Sequence, residues 1–127
     1  MPFVRISLLK GKSAAYLRAI ADGVHHALVE AFEVPAADRF QLIHQHERDE
    51  LIYDPSYLGV ARSDDVVLIQ IAASNWRQTS QKLALYKAIA DRLAESPGLR
   101  PEDVQISLLP TQREDWSLGN GVAQYVK

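Results

Sequence analysis

Proline is the second residue of this chain, directly after Met1 and ahead of the strand-like segment FVRISLL. A proline at the start of a strand can be purely structural, because it lacks the N–H that a central ladder position needs. It can also be chemical, since a small second residue permits removal of Met1 and leaves a free secondary amine. An α-amine titrates at about pH 8, so Pro2 is a candidate acid or base near neutrality.

Histidines are the other residues whose spacing suggests chemistry. His44 and His46 stand two apart in QLIHQH, on the same face of a predicted strand, which permits a metal site. No third ligand is evident, so we interpret the pair as structural or interface residues and expect no metal. His25 and His26 are interpreted as surface or edge residues of a helix. No Gly-rich phosphate loop, Ser-His-Asp set or EF-hand pattern occurs.

Bulk composition restricts the classes of function. The chain has 127 residues, which suits one domain, and a net charge of −2. That charge gives no electrostatic reason to expect binding of nucleic acid or of an anionic membrane. There are no cysteines, which excludes disulfides and thiolate nucleophiles. No apolar run approaches the ~20 residues of a membrane span and no secretory signal pattern is present, so we expect a cytoplasmic protein.

An internal repeat organises the chain: YLRAIAD (residues 16–22) is echoed by LYKAIAD (residues 85–91). Each copy lies in a predicted amphipathic helix. The first helix is predicted from Ser13, a plausible N-cap, to Phe32. The second is predicted from Thr79 or Ser80 to Glu95. Their predicted apolar faces consist of Leu17, Ile20, Ala21, Val24, Leu28 and Phe32 in the first, and of Leu83, Tyr86, Ile89, Ala90 and Leu93 in the second.

Strand-like segments flank both helices, so the chain is predicted to contain two β-α-β units, at about 2–47 and 65–110. Helical connections of this length imply right-handed parallel crossovers. The units would form a four-stranded α/β sheet with both helices on one face. The segment between them and the tail 111–127 are predicted to form short hairpins. The other face of the sheet would be bare, and VVLIQIA is nearly all apolar, which favours self-association.

The chain resembles the tautomerase superfamily, and within it the malonate semialdehyde decarboxylase branch. The resemblance rests on the features above and on the segments VPAADRF, HQH, YLGVARSDDVVLI, QKLALYKAIADRL and DWSLGNGVAQY. The resemblance covers essentially the whole chain, as a single domain 1–127. It implies a homotrimer whose sheets line a central barrel, and chemistry on a small carboxylate substrate without a cofactor.

The resemblance also implies site residues. The catalytic proline of the family corresponds to Pro2, its acidic residue to Asp38, and the second of two arginines to Arg77. The first arginine has no match, because Ser74 or Asn75 stands there. Asn75 could supply a weaker, neutral hydrogen bond to the substrate in place of that arginine. The aromatic wall of the family corresponds to Trp116 and Tyr125, and Leu118 stands where an aromatic residue is common.

Several activities remain open from the residues. A carboxylate beside the Pro2 amine would favour the protonated acid used in decarboxylation or hydration, whereas a guanidinium would favour the base used in tautomerisation. Arg77 could bind a carboxylate or stabilise a developing enolate. Asp38 could instead only cap its turn, as Asp103 could at the corresponding place in the repeat. We therefore expect an enzyme that decarboxylates 3-oxo acids similar to malonate semialdehyde or hydrates unsaturated acids. A keto-enol tautomerase and a non-catalytic trimeric assembly module are the alternatives.

Overall fold

Strands and helices alternate along the chain in the computed structural model, which describes all residues from 1 to 127. The order is β1 (Phe3–Leu9), α1 (Ala14–Phe32), β2 (Gln41–His46), β3 (Val67–Ser74), α2 (Thr79–Glu95) and β4 (Val104–Thr111). Both predicted β-α-β units are confirmed. No helix is long and apolar enough to cross a membrane.

The four strands form one mixed sheet in the order β2-β1-β3-β4. Each β-α-β unit contributes one parallel pair, β1 with β2 and β3 with β4. The two units join through β1 and β3, which are antiparallel, with Phe3 opposite Ala72. Consequently the beginning of β1 lies beside the end of β3. The amino-terminal residues that precede β1 are therefore at the same end of the sheet as the loop that leads into α2.

Both helices cover the same face of the sheet. Alternate residues of β1, namely Val4, Ile6 and Leu8, join one core with the buried residues of α1 and α2. Ser13 accepts a hydrogen bond from the Tyr16 amide and is the N-cap that the sequence predicts. The buried residues of α2 are Leu85, Ile89 and Leu93.

The predicted apolar face of α2 was wrong at one position. Leu83 is 61% exposed, because the stripe that faces the core runs through Leu85 at four-residue spacing. Tyr86, predicted on the same face, is half-buried at the edge of the helix.

The two predicted hairpins do not form. Between β2 and β3 the chain makes turns and one 3₁₀ turn, and residues 116–127 contain no strand. Side chains supply the hydrogen bonds that a cross-strand ladder would give. Arg62 donates to the carbonyl oxygens of Tyr57 and Val60, and Gln124 bonds to the backbone of Leu118 and Gly119.

The second face of the sheet is open and only partly apolar. Leu42 and Leu109 are exposed there, together with Arg5, Gln70 and Gln105. On this side β3 presents Leu68, Gln70 and Ala72, so its open face is less apolar than the run VVLIQIA as a whole. A mixed polar and apolar face of this kind is compatible with water or with another subunit.

Candidate active site

The amino terminus is tucked against the protein at the start of β1. Pro2 is buried, and extending the β1–β3 register by one residue brings it opposite Ala73. The amino group of Met1 lies 3.5 Å from Oδ2 of Asp38. Because covalent geometry keeps the nitrogen of Pro2 close to that amino group, Asp38 is a neighbour of the residue 2 nitrogen.

Asp38 is presented by the turn that leads into β2. The turn is closed by a hydrogen bond from the Asp38 amide to the Pro35 carbonyl oxygen at 2.9 Å. His25, on α1, bonds through Nε2 to the Ala36 carbonyl oxygen at 2.9 Å, and thereby holds the turn against the helix. The interpretation of His25 as a surface residue was wrong: it is 5% exposed and packs under this turn.

Asp38 and its counterpart in the repeat, Asp103, have opposite surroundings. Asp103 is 1% exposed and accepts hydrogen bonds from the amide and hydroxyl of Ser63 at 2.6 and 2.7 Å. Oδ1 of Asp38 is buried without any hydrogen-bond partner. A buried acceptor without a partner costs free energy, so it calls for an explanation other than the capping role of Asp103.

Arg77 lies in the loop between β3 and α2. Its guanidinium carbon is 4.9 Å from the centre of the Phe32 ring and 5.4 Å from that of Trp76. Its Nε is buried without a hydrogen-bond partner. Burial lowers the pKa of Arg77 and the charge of Glu33 partly opposes this, so the group stays a cation. An arginine held this way can bind an anion bidentately.

A cavity of about 170 Å³ opens beside Arg77. Asn75 lines it, and the Asn75 amide donates to the Thr111 carbonyl oxygen at 2.9 Å, which ties the loop to the end of β4. Two further lining residues, Lys82 and Tyr86, were missed as site residues by the sequence analysis. The available signal was their spacing of four on α2, which places both on one side of its first turns.

The carboxy-terminal candidates are divided between two places. Trp116 donates from Nε1 to Oγ1 of Thr111 at 2.8 Å and lines a separate cavity of about 280 Å³ on the open face of the sheet. Leu118 is 41% exposed and lines neither cavity. Tyr125 is half-buried, and burial raises its pKa with a smaller contribution from the charge of Asp38. Trp116 and Leu118 therefore do not line the Arg77 cavity, and neither does Tyr125.

His44 and His46 lie on the open face, with ring centroids 6.4 Å apart. Nε2 of His44 is 3.2 Å from Nη1 of Arg5. No group of three or more His, Cys, Asp or Glu side chains is arranged to hold a metal ion. The two histidines lie on the open surface of the sheet, where His44 contacts Arg5.

Chemically, one end of the sheet combines an amino terminus beside a carboxylate that has one buried, unpartnered oxygen with a guanidinium that forms no ion pair. The guanidinium lines a small cavity that neither Pro2 nor Asp38 lines. A carboxylate next to an amine favours its protonated form, and a guanidinium favours oxyanions. The arrangement can therefore bind a small organic acid and offer it a proton or a positive charge.

Comparisons with known proteins identify the family of this chain. Two family models, both described as tautomerase enzyme, match residues 2–61 and 38–119. "Probable tautomerase YusQ" of Bacillus subtilis (strain 168) is 44% identical over 127 residues, all of both chains.

Two similar solved structures are malonate semialdehyde decarboxylases. One, described with a structural basis for decarboxylase and hydratase activities, is 35% identical with a TM-score of 0.91, over 97% of this chain and 95% of that one. The other, FG41 malonate semialdehyde decarboxylase inhibited by 3-bromopropiolate, is 39% identical with a TM-score of 0.91, over 97% and 93%. On the family match, the full-length identity and the shared fold, this chain belongs to the tautomerase superfamily.

Proposed function

We propose that this protein is a cofactor-independent enzyme that decarboxylates small 3-oxo acids or adds water to small unsaturated acids. The observation that carries the proposal is the Asp38 carboxylate, with one oxygen buried and unpartnered and the other 3.5 Å from the terminal amino group. A negative charge at this place favours the protonated form of an amine, which is the form that can act as an acid.

Pro2 supplies that amine once Met1 is removed. Its nitrogen then becomes a secondary ammonium next to Asp38, and this group would donate a proton to a bound substrate. Met1 itself carries a primary amine at this place, so the proposal depends on processing of the chain. The mass of the native protein reports whether that processing has occurred.

Arg77 would stabilise the charge that develops during decarboxylation. The bond between the carboxylate carbon and C2 of a 3-oxo acid breaks, CO₂ leaves, and the electron pair becomes an enolate on the carbonyl oxygen. A cation beside that oxygen lowers the barrier, and a proton delivered to C2 completes the reaction. Asp38 would position water for the related addition to an unsaturated acid.

The two decarboxylase structures support this assignment, since each is at least 35% identical over nearly the whole chain. We also propose that the chain acts as a homotrimer. The exposed Leu42 and Leu109 on the open sheet face would be covered in such an assembly. Substituting Leu109 by Glu is expected to reduce the mass measured by light scattering to that of a smaller species.

A keto-enol tautomerase is the second candidate. The relative from Bacillus subtilis is named a probable tautomerase, and a desolvated amine close to a guanidinium would be neutral more readily and could act as a base. A non-catalytic assembly module is the candidate from another class, and it would require neither a free amine nor the Arg77 cavity.

The test is turnover by protein whose loss of Met1 has been verified by intact mass. Malonate semialdehyde, an acetylene carboxylate and phenylenolpyruvate are assayed side by side, for the unmodified protein and for the Pro2→Ala and Asp38→Asn variants. Turnover of the first or second substrate, lost in Asp38→Asn, supports the proposal. Turnover of phenylenolpyruvate alone supports the tautomerase, and no turnover of any of them supports the assembly module.

A covalent label gives an independent readout. Treatment with 3-bromopropiolate should add mass to the peptide that begins at Pro2 if its nitrogen is a free nucleophilic amine in the site. Labelling elsewhere, or none in processed protein, would contradict the role of Pro2.

A further inference from the structure

Lys82 differs from the other lysines of the chain. Lys10, Lys12 and Lys87 form ion pairs with Glu47, Asp65 and Asp91 at 2.7, 2.5 and 2.8 Å. Lys127 is the exposed last residue. Lys82 is half-buried, yet it forms neither an ion pair nor a side-chain hydrogen bond with any residue of the chain.

The cavity that Lys82 lines contains a second unpaired cation and no carboxylate. Arg77 shares it, and the other lining residues are Phe32, Ala73, Ser74, Asn75, Tyr86, Leu108, Leu109 and Pro110. Two positive side chains therefore face the same space of about 170 Å³ without an acidic neighbour in its lining. Glu33 acts on Arg77 from outside that lining, and the two cations together favour an anion in that space.

Helix stability does not explain a lysine at this position. α2 begins at Thr79, so Lys82 is in the first turn, which has no acidic residue. A positive charge there opposes the helix dipole, which favours anions at the amino-terminal end. Lys87 lies further along α2, beyond its first turn, and forms an ion pair with Asp91.

We propose that Lys82 binds the carboxylate of the substrate. Its ammonium would take the carboxylate group and leave the Arg77 guanidinium for the oxygen that becomes negative in the reaction. The small cavity fits a short aliphatic oxo acid better than an aryl acid, since sites for drug-sized ligands start at roughly 300 Å³. The part of this inference that concerns the reaction rests on the proposed function. The part that concerns binding of a carboxylate rests on the cavity alone.

The experiment measures binding of malonate, a short dicarboxylate used as a non-reacting probe, by isothermal titration calorimetry to the processed full-length protein. Lys82→Gln is expected to weaken binding about tenfold or more, because a charge-assisted hydrogen bond is lost, whereas Lys82→Arg retains most of it. Lys87→Gln is the matched control on the same helix and should bind as the unmodified protein does. Lys82→Met serves as a second neutral variant, and circular dichroism verifies that each variant folds.

Kinetics separate this inference from the proposed function. With an active substrate, Lys82→Gln should raise KM about tenfold while kcat changes less, because the contact forms in the ground state as well as the transition state. Malonate binding that is unchanged in Lys82→Gln and Lys82→Met overturns the role of Lys82 and leaves the proposed function standing. Lys82-dependent binding in a protein without turnover overturns the proposed function and leaves the role of Lys82.

Discussion

The guanidinium of Arg77 lies over the ring of Phe32, with 4.9 Å between the guanidinium carbon and the ring centre. Phe32 is the last residue of α1 and Arg77 lies just before α2, so this contact joins the end of the first helix to the loop before the second helix. An aromatic face attracts a cation without neutralising its charge or occupying its N–H groups. Arg77 is thereby held in place with its hydrogen-bonding edge available for an anion.

Replacing Arg77 by Met is expected to lower kcat/KM by about 10- to 100-fold, the loss of a charge-assisted contact to an anionic substrate. The free energy of unfolding should change by less than about 1 kcal/mol or increase, since a partly buried cation without a partner is removed. Steady-state kinetics and urea unfolding measure the two effects. Arg113→Met is the control, because Arg113 also stacks on Trp76, at 5.5 Å, but is exposed and does not line the cavity. Equal losses of activity in both variants would contradict a specific role of Arg77.

The Pro2 amine of processed protein should titrate higher than the same amine in Asp38→Asn, because the carboxylate stabilises the protonated form. The measurement is the nitrogen chemical shift of Pro2 as a function of pH. Asp91→Asn, on the exposed side of α2, provides the control. A Pro2 pKa that is the same in the unmodified protein and in Asp38→Asn would show that the carboxylate does not act on the amine.

The lowered pKa of Asp64 predicts how acid affects the stability of the protein. Hydrogen bonds from Arg48 and then Tyr53 lower the pKa of Asp64 from 3.8 to about 2. A folded-state pKa below the unfolded value contributes stability that is present above pH 3.8 and disappears as the pH falls towards 2. Asp64→Asn should therefore be less stable than the unmodified protein at neutral pH, and the difference should shrink across that acidic window. Melting temperatures at a series of pH values test this, with Asp49→Asn as an exposed control.

Gly23 permits the close packing of the two helices. A Cβ at this position would be 2.8 Å from Cδ2 of Leu93, which is fully buried. Gly23→Ala should destabilise the protein by about 1–3 kcal/mol through overpacking, and Leu93→Ala by about 2–5 kcal/mol through a cavity. In the double variant the new methyl group fills space that Leu93 vacated, so the combined loss should be smaller than the sum. Strictly additive losses in urea unfolding would indicate that the two positions do not share that space.

The hydrophobic periodicity, the helix cap and the strand-like segments were sufficient to predict the two β-α-β units. The apolar spacing of both helices, the Ser13 cap and the strand-like flanks predict two parallel β-α-β units, because these patterns reflect contacts within a few residues of each other. Hairpins were predicted from turn signals alone and were wrong, since Arg62 and Gln124 satisfy the local backbone instead of a partner strand. Turn chemistry specifies a reversal of the chain and does not by itself specify pairing.

The residue types at the candidate site were available from the chain, but their environments were not. Asp38 and Asp103 look equivalent in the repeat, and only the folded structure gives Asp103 the Ser63 partner and leaves an oxygen of Asp38 unpartnered. Lys82 looks like any surface lysine of a helix until β3, β4 and α2 enclose a cavity around it with Arg77. Thus the sequence by itself determined the two helices, the four strands of the sheet and their order along the chain. Tertiary structure decided which charges meet and which lack a partner, because burial and hydrogen bonding at these positions depend on residues distant along the chain.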